Sequence, residues 1–271
     1  DLHPRVRRQR QMCIRDSHLA ANFKRIMGWF CISAVFWITG AILQGEWQIL
    51  LWIIAAICDY TAPMHGFALP RLGRSDSSKE WTIEGHHLVE RCQLFVIIAF
   101  GETLLMTGAS LSEVEEWTPL VIISAVISFI GSLAMWWVYF DVSSEAGSRK
   151  IQEVKDPGKL GLIYNAIHIV LVGALIICAV GDELIVAHPE QEMRAEVVFV
   201  LIIGPIVYIL ANSIYKYVTC RMLPLSHIIA VIALALLLPW PYHISLLTMN
   251  ILVTSVFILS LIHISEPTRL R

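Results

Sequence analysis

The chain has 271 residues, of which 56% are hydrophobic and only 15% are charged, with a formal net charge of -2. Soluble domains typically carry about 25% charged residues, so this surface must face something less polar than water, and a lipid bilayer is the simplest partner. Near-neutral charge without a basic stripe gives no footprint for nucleic acid and none for a strongly charged protein partner.

A helix needs roughly 20 apolar residues to cross the hydrocarbon core of a membrane. The chain opens with Asp1–Ser17, basic and without periodicity, and eight spanning segments follow. The first is Arg25–Leu43. The second, Trp47–Leu69, carries Asp59 half-way along and Pro63 four residues later. The third, Leu88–Gly108, contains the run LFVIIAFGETLLMTG with Glu102 inside it. The fourth, Pro119–Phe140, ends in WWVYFD, which closes with Asp141. The fifth, Leu160–Val180, contains Tyr164, Asn165 and His168. The sixth, seventh and eighth are Ala195–Tyr215, Leu225–Trp240 and Ile244–Ile262. Strands usually stop after about 4–8 residues, whereas these runs reach about 20. They also lack the alternation of barrel strands. The predicted fold is therefore all-α, a polytopic transmembrane helix bundle. The longest loop, about 18 residues, is too short to fold alone.

Loop charge gives an independent check, because cytoplasmic loops are enriched in Lys and Arg. Basic loops (Lys24 and Arg25; Arg71, Arg74 and Lys79; Arg149, Lys150, Lys155 and Lys159; Lys216 and Arg221) alternate with loops lacking that excess. The latter carry Glu46; Glu113, Glu115 and Glu116; Asp182, Glu183, Glu190 and Glu192 beside Arg194; and Pro241–His243. One missed helix would invert every later loop, so the unbroken alternation supports eight segments. It also places both ends of the bundle on the cytoplasmic side. Trp29, Trp47, Trp117, Trp136, Trp137 and Trp240 lie near segment ends, where amphipathic rings favour the interface. Cys31, Cys58, Cys92 and Cys178 sit in apolar runs and read as small core residues, with no disulfide framework.

An ionisable residue inside a spanning helix is costly, which makes it a functional hypothesis. Glu102 has Phe95, Ile98, Leu105 and Met106 as helical neighbours, and Gly101 beside it allows another backbone to approach. It reads as a cation or proton site facing the bundle interior, or else as a carboxyl tying two helices together. Pro63 frees the backbone carbonyl of Asp59 and kinks the helix, so Asp59 reads as a cation or substrate site or as a polar contact at a kink. His168, with Tyr164 one turn before it, reads as a proton relay or as a neutral hydrogen-bonded core histidine. Glu102 is expected to share a cavity with Asp59 or His168. Glu84, His86, His87, Glu90 and Arg91 form a cluster whose His-x-x-x-Glu spacing can hold a metal, although a solvated ion-pair cluster at the membrane surface is the expected role, with no metal. Asp141 is expected to pair with nearby basic loops. HExxH, GxSxG, P-loop and GxGxxG motifs are absent from the sequence, so neither an enzyme nor a cofactor is expected.

The stretch HHLVERCQLFVIIAFGETLL (His86–Leu105) resembles the low temperature requirement protein A family of bacterial membrane proteins. The residues carrying the resemblance are His87, Glu90, Arg91, Leu94, Phe95, Gly101 and Glu102. WWVYFD (Trp136–Asp141) resembles a second family block at the expected distance downstream. A family N-terminal block, a Phe-rich helix with an Asp-Leu-Val-Phe core, has no counterpart here. The resemblance implies a multi-pass membrane protein and no biochemical activity. Gln11–Ser17 (QMCIRDS) and the polar tail SLIHISEPTRLR resemble translated sequencing-adapter read-through. The expected organisation is thus a single transmembrane domain over residues 18–259 with non-native extensions at 1–17 and 260–271. Three functions fit: a transporter or channel for a small ion or solute, a membrane stress factor or sensor whose buried acids serve packing, and an intramembrane enzyme.

Overall fold

A computed structural model describes residues 4–75, 85–141, 154, 157–239 and 244–265, excluding the side chains of residues 4–18, 157, 195 and 263–265. Among the described residues are eight helices and no multi-residue strand. They are α1 (Pro4–Leu43), α2 (Gly45–Met64), α3 (Gly85–Glu113), α4 (Pro119–Phe140), α5 (Pro157–Ala187), α6 (residues 195–220), α7 (Leu225–Leu237) and α8 (Leu246–Ser265). Six, α1 to α6, are long and apolar enough to cross a membrane. Helix α6 changes register inside: an α-helical turn Ala195–Val198 leads into a π-helical turn Phe199–Ile203 and then an α-helix Gly204–Cys220. The terminal segments 1–3 and 266–271 lie outside the described residues, whereas residues 4–17, expected to be without periodicity, form the first turns of α1.

The eight predicted segments correspond to the eight helices, but several ends move for physical reasons. Helix α5 runs to Ala187 and α6 to Cys220, past the predicted Val180 and Tyr215. Asp182 and Lys216 therefore belong to helices and not to loops, and both are buried. A polar residue satisfied inside a bundle does not end a helix, although it ends an apolar run. Helix α2 stops at Met64 instead of Leu69, because Gly66 adopts φ 62, the left-handed backbone that terminates helices. Pro63 consequently sits in the last turn, and the expected mid-helix kink is a helix end.

The chain forms two compact units, residues 1–83 with 154–162, and residues 84–153 with 163–271. In the first unit α1 and α2 are joined tightly through Gln44 and Gly45, both with positive φ. The Trp37 and Trp52 rings lie 5.9 Å apart, and the Trp52 indole donates to the Trp37 carbonyl at 3.2 Å. The Arg25 guanidinium donates to the Leu72 carbonyl at 3.2 Å and the Trp29 indole to the Ala68 carbonyl at 3.1 Å, which ties the 65–75 turn to α1.

In the second unit α4 is the organising helix. Thr118 caps it, accepting from the Val121 N–H at 3.3 Å, and Pro119 starts it. Its buried face is Ser124, Ser128, Gly131, Ser132, Met135 and Tyr139. Gly131 lets α8 approach: a Cβ there would lie 2.9 Å from Thr254 Oγ1. The Tyr208 hydroxyl of α6 donates to the Met135 carbonyl at 2.7 Å. Outward, Leu94, Ile98, Leu105, Phe129, Trp137 and Leu236 are exposed. An outer surface this apolar suits lipid tails, not water.

Candidate functional site

The polar groups of the second unit gather on the inner face of α4. At its far end, the Tyr139 hydroxyl lies 2.8 Å from His168 Nε2, and His168 Nδ1 lies 2.7 Å from the Tyr164 carbonyl. A carbonyl only accepts, so the ring proton sits on Nδ1, and Nε2 accepts from Tyr139. This pattern satisfies both nitrogens of a neutral imidazole. The Tyr164 hydroxyl donates to the Tyr215 hydroxyl at 3.3 Å, and the Tyr139 and Tyr215 rings stack at 5.4 Å. Just beyond, Lys216 Nζ of α6 meets Asp141 Oδ2 at 3.2 Å. Asp141 thus pairs with a buried helical lysine, not with a basic loop.

Towards the start of α4 stands a second cluster. Asn250 Nδ2 of α8 donates to Ser128 Oγ at 2.9 Å, and the Thr254 hydroxyl donates to Asn250 Oδ1 at 3.4 Å. Asp182 of α5, only 7% exposed, stands with Ser128 and Ser132 at the same place. These residues line a cavity of about 30 Å³, with Val200 and Leu201 of the π-helical turn on another wall. π-Turns of this kind recur at functional positions. A larger cavity of about 160 Å³, lined by Ile229, Ala230, Ala233 and Val256 among others, is apolar apart from Ser226 and Ser260 and offers little to an ion.

The predicted site residues separate. Tyr164 and His168 do come together, although Tyr164 holds the histidine through its backbone and not its hydroxyl. Glu102 does not join them: it is exposed on α3, and the cavity expected to unite it with His168 is not found among the described residues. The packed face of α3 is the stripe Val96, Ala99, Thr103, Thr107 and Ser110, while Glu102 lies on the opposite stripe with Phe95, Ile98 and Leu105. Small and hydroxyl-bearing residues allow close packing, and they decided the face against the carboxyl. Nor does a backbone approach Gly101: a Cβ there would meet open space. Asp59 belongs to the first unit, half-exposed, and accepts from the Trp37 indole at 3.0 Å. Asn165 is exposed.

At the start of α3, Glu90 reaches His86 Nε2 at 3.1 Å and His87 Nδ1 at 3.3 Å, all three well exposed. Glu84 lies outside the described residues, and Arg91 is exposed. Among the described residues no group of three His, Cys, Asp or Glu side chains is placed to hold a metal ion. The sequence reading missed Ser128, Ser132, Asn250 and Thr254. Their signal is the four-residue spacing of each polar pair within an apolar helix, which stacks both members on one face.

A protein of Rhizobium meliloti (strain 1021), described as uncharacterized, is 35% identical over 213 residues, covering 78% of this chain and 51% of that protein. The chain therefore spans about half the length of the curated relative it matches. No solved structure matches. The family profile described as "Bacterial low temperature requirement A protein (LtrA)" matches residues 5–262, nearly the whole chain. With its apolar helices and the His87–Glu102 and Trp136–Asp141 blocks, the chain belongs to this LtrA family of multi-pass membrane proteins.

Proposed function

We propose that the chain forms part of a transporter or channel of the bacterial cytoplasmic membrane that passes a small ion or solute, with no covalent chemistry of its own. One observation carries the reading: a seam of polar groups runs along the buried face of α4. Ser124, Ser128, Ser132 and Tyr139 follow one another down the helix to the exposed Asp141 that caps its end, joined by Asp182, Asn250, His168 and Lys216 from its neighbours. From Ser124 to Asp141 is about 25 Å of helix, comparable with the hydrocarbon thickness of about 30 Å. Buried polar groups are expensive in a membrane, and bundles retain them along substrate and ion pathways. A helix-packing role would need only scattered local pairs.

Proteoliposome flux tests the reading. Vesicles containing the chain, or its longer Rhizobium relative, should move a small cation or solute faster than empty vesicles, and Ser128→Leu should abolish the difference. Equal flux from both proteins and empty vesicles across alkali cations, protons and small neutral solutes would refute it. For Asp59 the packing role is favoured, since its carboxylate holds the Trp37 indole within the α1–α2 hairpin.

A further inference from the structure

The Asp182 cluster has a charge arrangement that its own protein groups do not complete. Its hydrogen bonds run in one direction: Thr254 donates to Asn250 and Asn250 to Ser128, and the Ser128 and Ser132 side chains line one cavity with the Asp182 carboxyl. Because Ser128 Oγ accepts from Asn250, its own proton is free to point toward the carboxyl, the arrangement suited to an anion. Hydroxyl dipoles offset only part of a full charge in a dry interior, where a carboxylate normally requires a cation. Among the described residues no Lys, Arg or His forms an ion pair with Asp182; the buried Lys216 is committed to Asp141 at the other end of α4.

The walls supply what a cation needs. The donor atoms are oxygens: the carboxylate and two serine hydroxyls, with the Asn250 amide oxygen close by. The π-helical turn brings Val200 and Leu201 to the cavity wall. Gly204 N–H reaches back five residues to the Phe199 carbonyl, but the next position, Pro205, has no N–H to give. The carbonyl at Val200 or Leu201 that Pro205 would have served loses its helical donor, and both residues line the cavity. Hard oxygen ligands with a single negative charge suit a monovalent ion; calcium-type sites gather more oxygens and usually more carboxylates. A cavity of about 30 Å³ has room for one water-sized occupant and none for an ion with its hydration shell.

We propose that this cavity binds one dehydrated alkali-metal cation, held by the Asp182 carboxylate, the Ser128 and Ser132 hydroxyls and a carbonyl of the π-helical turn. This names the ion class for the transport reading and rests on that reading for the ion's route in. The site needs no metal-binding motif, because one carboxylate of α5 and neutral oxygens of α4 and α6 do what a cluster of acids does elsewhere.

The test is equilibrium binding of radiolabelled sodium to the purified full chain in detergent at fixed ionic strength. One saturable site per chain is expected, displaced by unlabelled sodium or lithium and not by choline. Asp182→Asn should weaken binding at least about tenfold, as expected when the sole countercharge is removed. Ser132→Ala should weaken it several-fold with unchanged thermal unfolding in choline. If Asp182→Asn fails to fold, the wild-type isotherm and Ser132→Ala decide the matter. Absence of saturable alkali-ion binding overturns the proposal, as does an affinity unaffected by Ser132→Ala; a proton as sole occupant gives the first result. Flux separates the two readings: binding without flux keeps the site and refutes transport, and flux without binding refutes the site alone.

Discussion

Tyr139→Phe isolates a single buried hydrogen bond. The ring stays, so the stack on Tyr215 at 5.4 Å and the edge contact with His168 at 5.8 Å are preserved. Only the hydroxyl donating to His168 Nε2 at 2.8 Å is lost. Tyr139 and His168 are each 1% exposed, so water does not replace it. Hydrogen bonds between membrane helices average about 0.6 kcal/mol, with a maximum near 1.7. Leaving a buried acceptor unsatisfied costs about 1–3 kcal/mol. Short geometry and full burial put this bond at the upper end of the membrane range, so Tyr139→Phe should cost about 1.5 kcal/mol, roughly tenfold in the folded-to-unfolded ratio. Tyr164→Phe, which loses a 3.3 Å bond between two hydroxyls, should cost less than half as much. Combining Tyr139→Phe with His168→Leu should show a coupling of about 1 kcal/mol, because the second change removes the orphaned acceptor. Reversible unfolding in mixed micelles, followed by tryptophan fluorescence, measures the wild type, the three single variants and the double variant. A neutral Tyr139→Phe, or a Tyr164→Phe that costs more, would show that the His168 contact is not the strong member of the cluster.

Three other expectations concern pairing, packing and sidedness. Lys216 and Asp141 are unequally buried, 5% against 35% side-chain exposure, so Asp141→Asn, which strands a buried ammonium, should destabilise more than Lys216→Met, which leaves a carboxylate within reach of water; thermal unfolding in detergent ranks them. Gly131→Val should cost about 1–3 kcal/mol by forcing α4 away from Thr254, whereas Gly101→Ala, with open space around it, should be neutral or stabilising by up to about 1 kcal/mol; the opposite order in the same assay would contradict the helix contacts described. For topology, Arg74 is an exposed position suited to labelling, unlike its buried neighbour Ser75. In a cysteine-free background a cysteine at Ser112 should react with an impermeant reagent on whole cells and one at Arg74 should not; the reverse pattern would invert the orientation inferred from loop charge.

How much of this was legible in the sequence differs between fold and site. Eight apolar runs, alternating loop charge and two family blocks suffice for a polytopic helical membrane protein, because the cost of exposing backbone and charge to lipid acts on each segment by itself. Pro119 and Thr118 mark the start of α4 where the helix begins. The site was legible only in part. Tyr164 and His168 were visible as neighbours on one helix, but the hydroxyl that completes the histidine comes from Tyr139, 29 residues away. Asp182 was assigned to an external loop because it ends an apolar run; only the approach of α4 and α8 provides the hydroxyls that keep it inside. Glu102 was expected to face inward because a carboxyl is costly in lipid, yet that cost does not specify a face. The face was chosen by the stripe of Ala99, Thr103, Thr107 and Ser110, whose small side chains let helices close on one another. Segment identity follows from local transfer energies that the sequence carries residue by residue. Which polar groups meet depends on helix rotation and approach, and these are set by packing between residues distant in the chain.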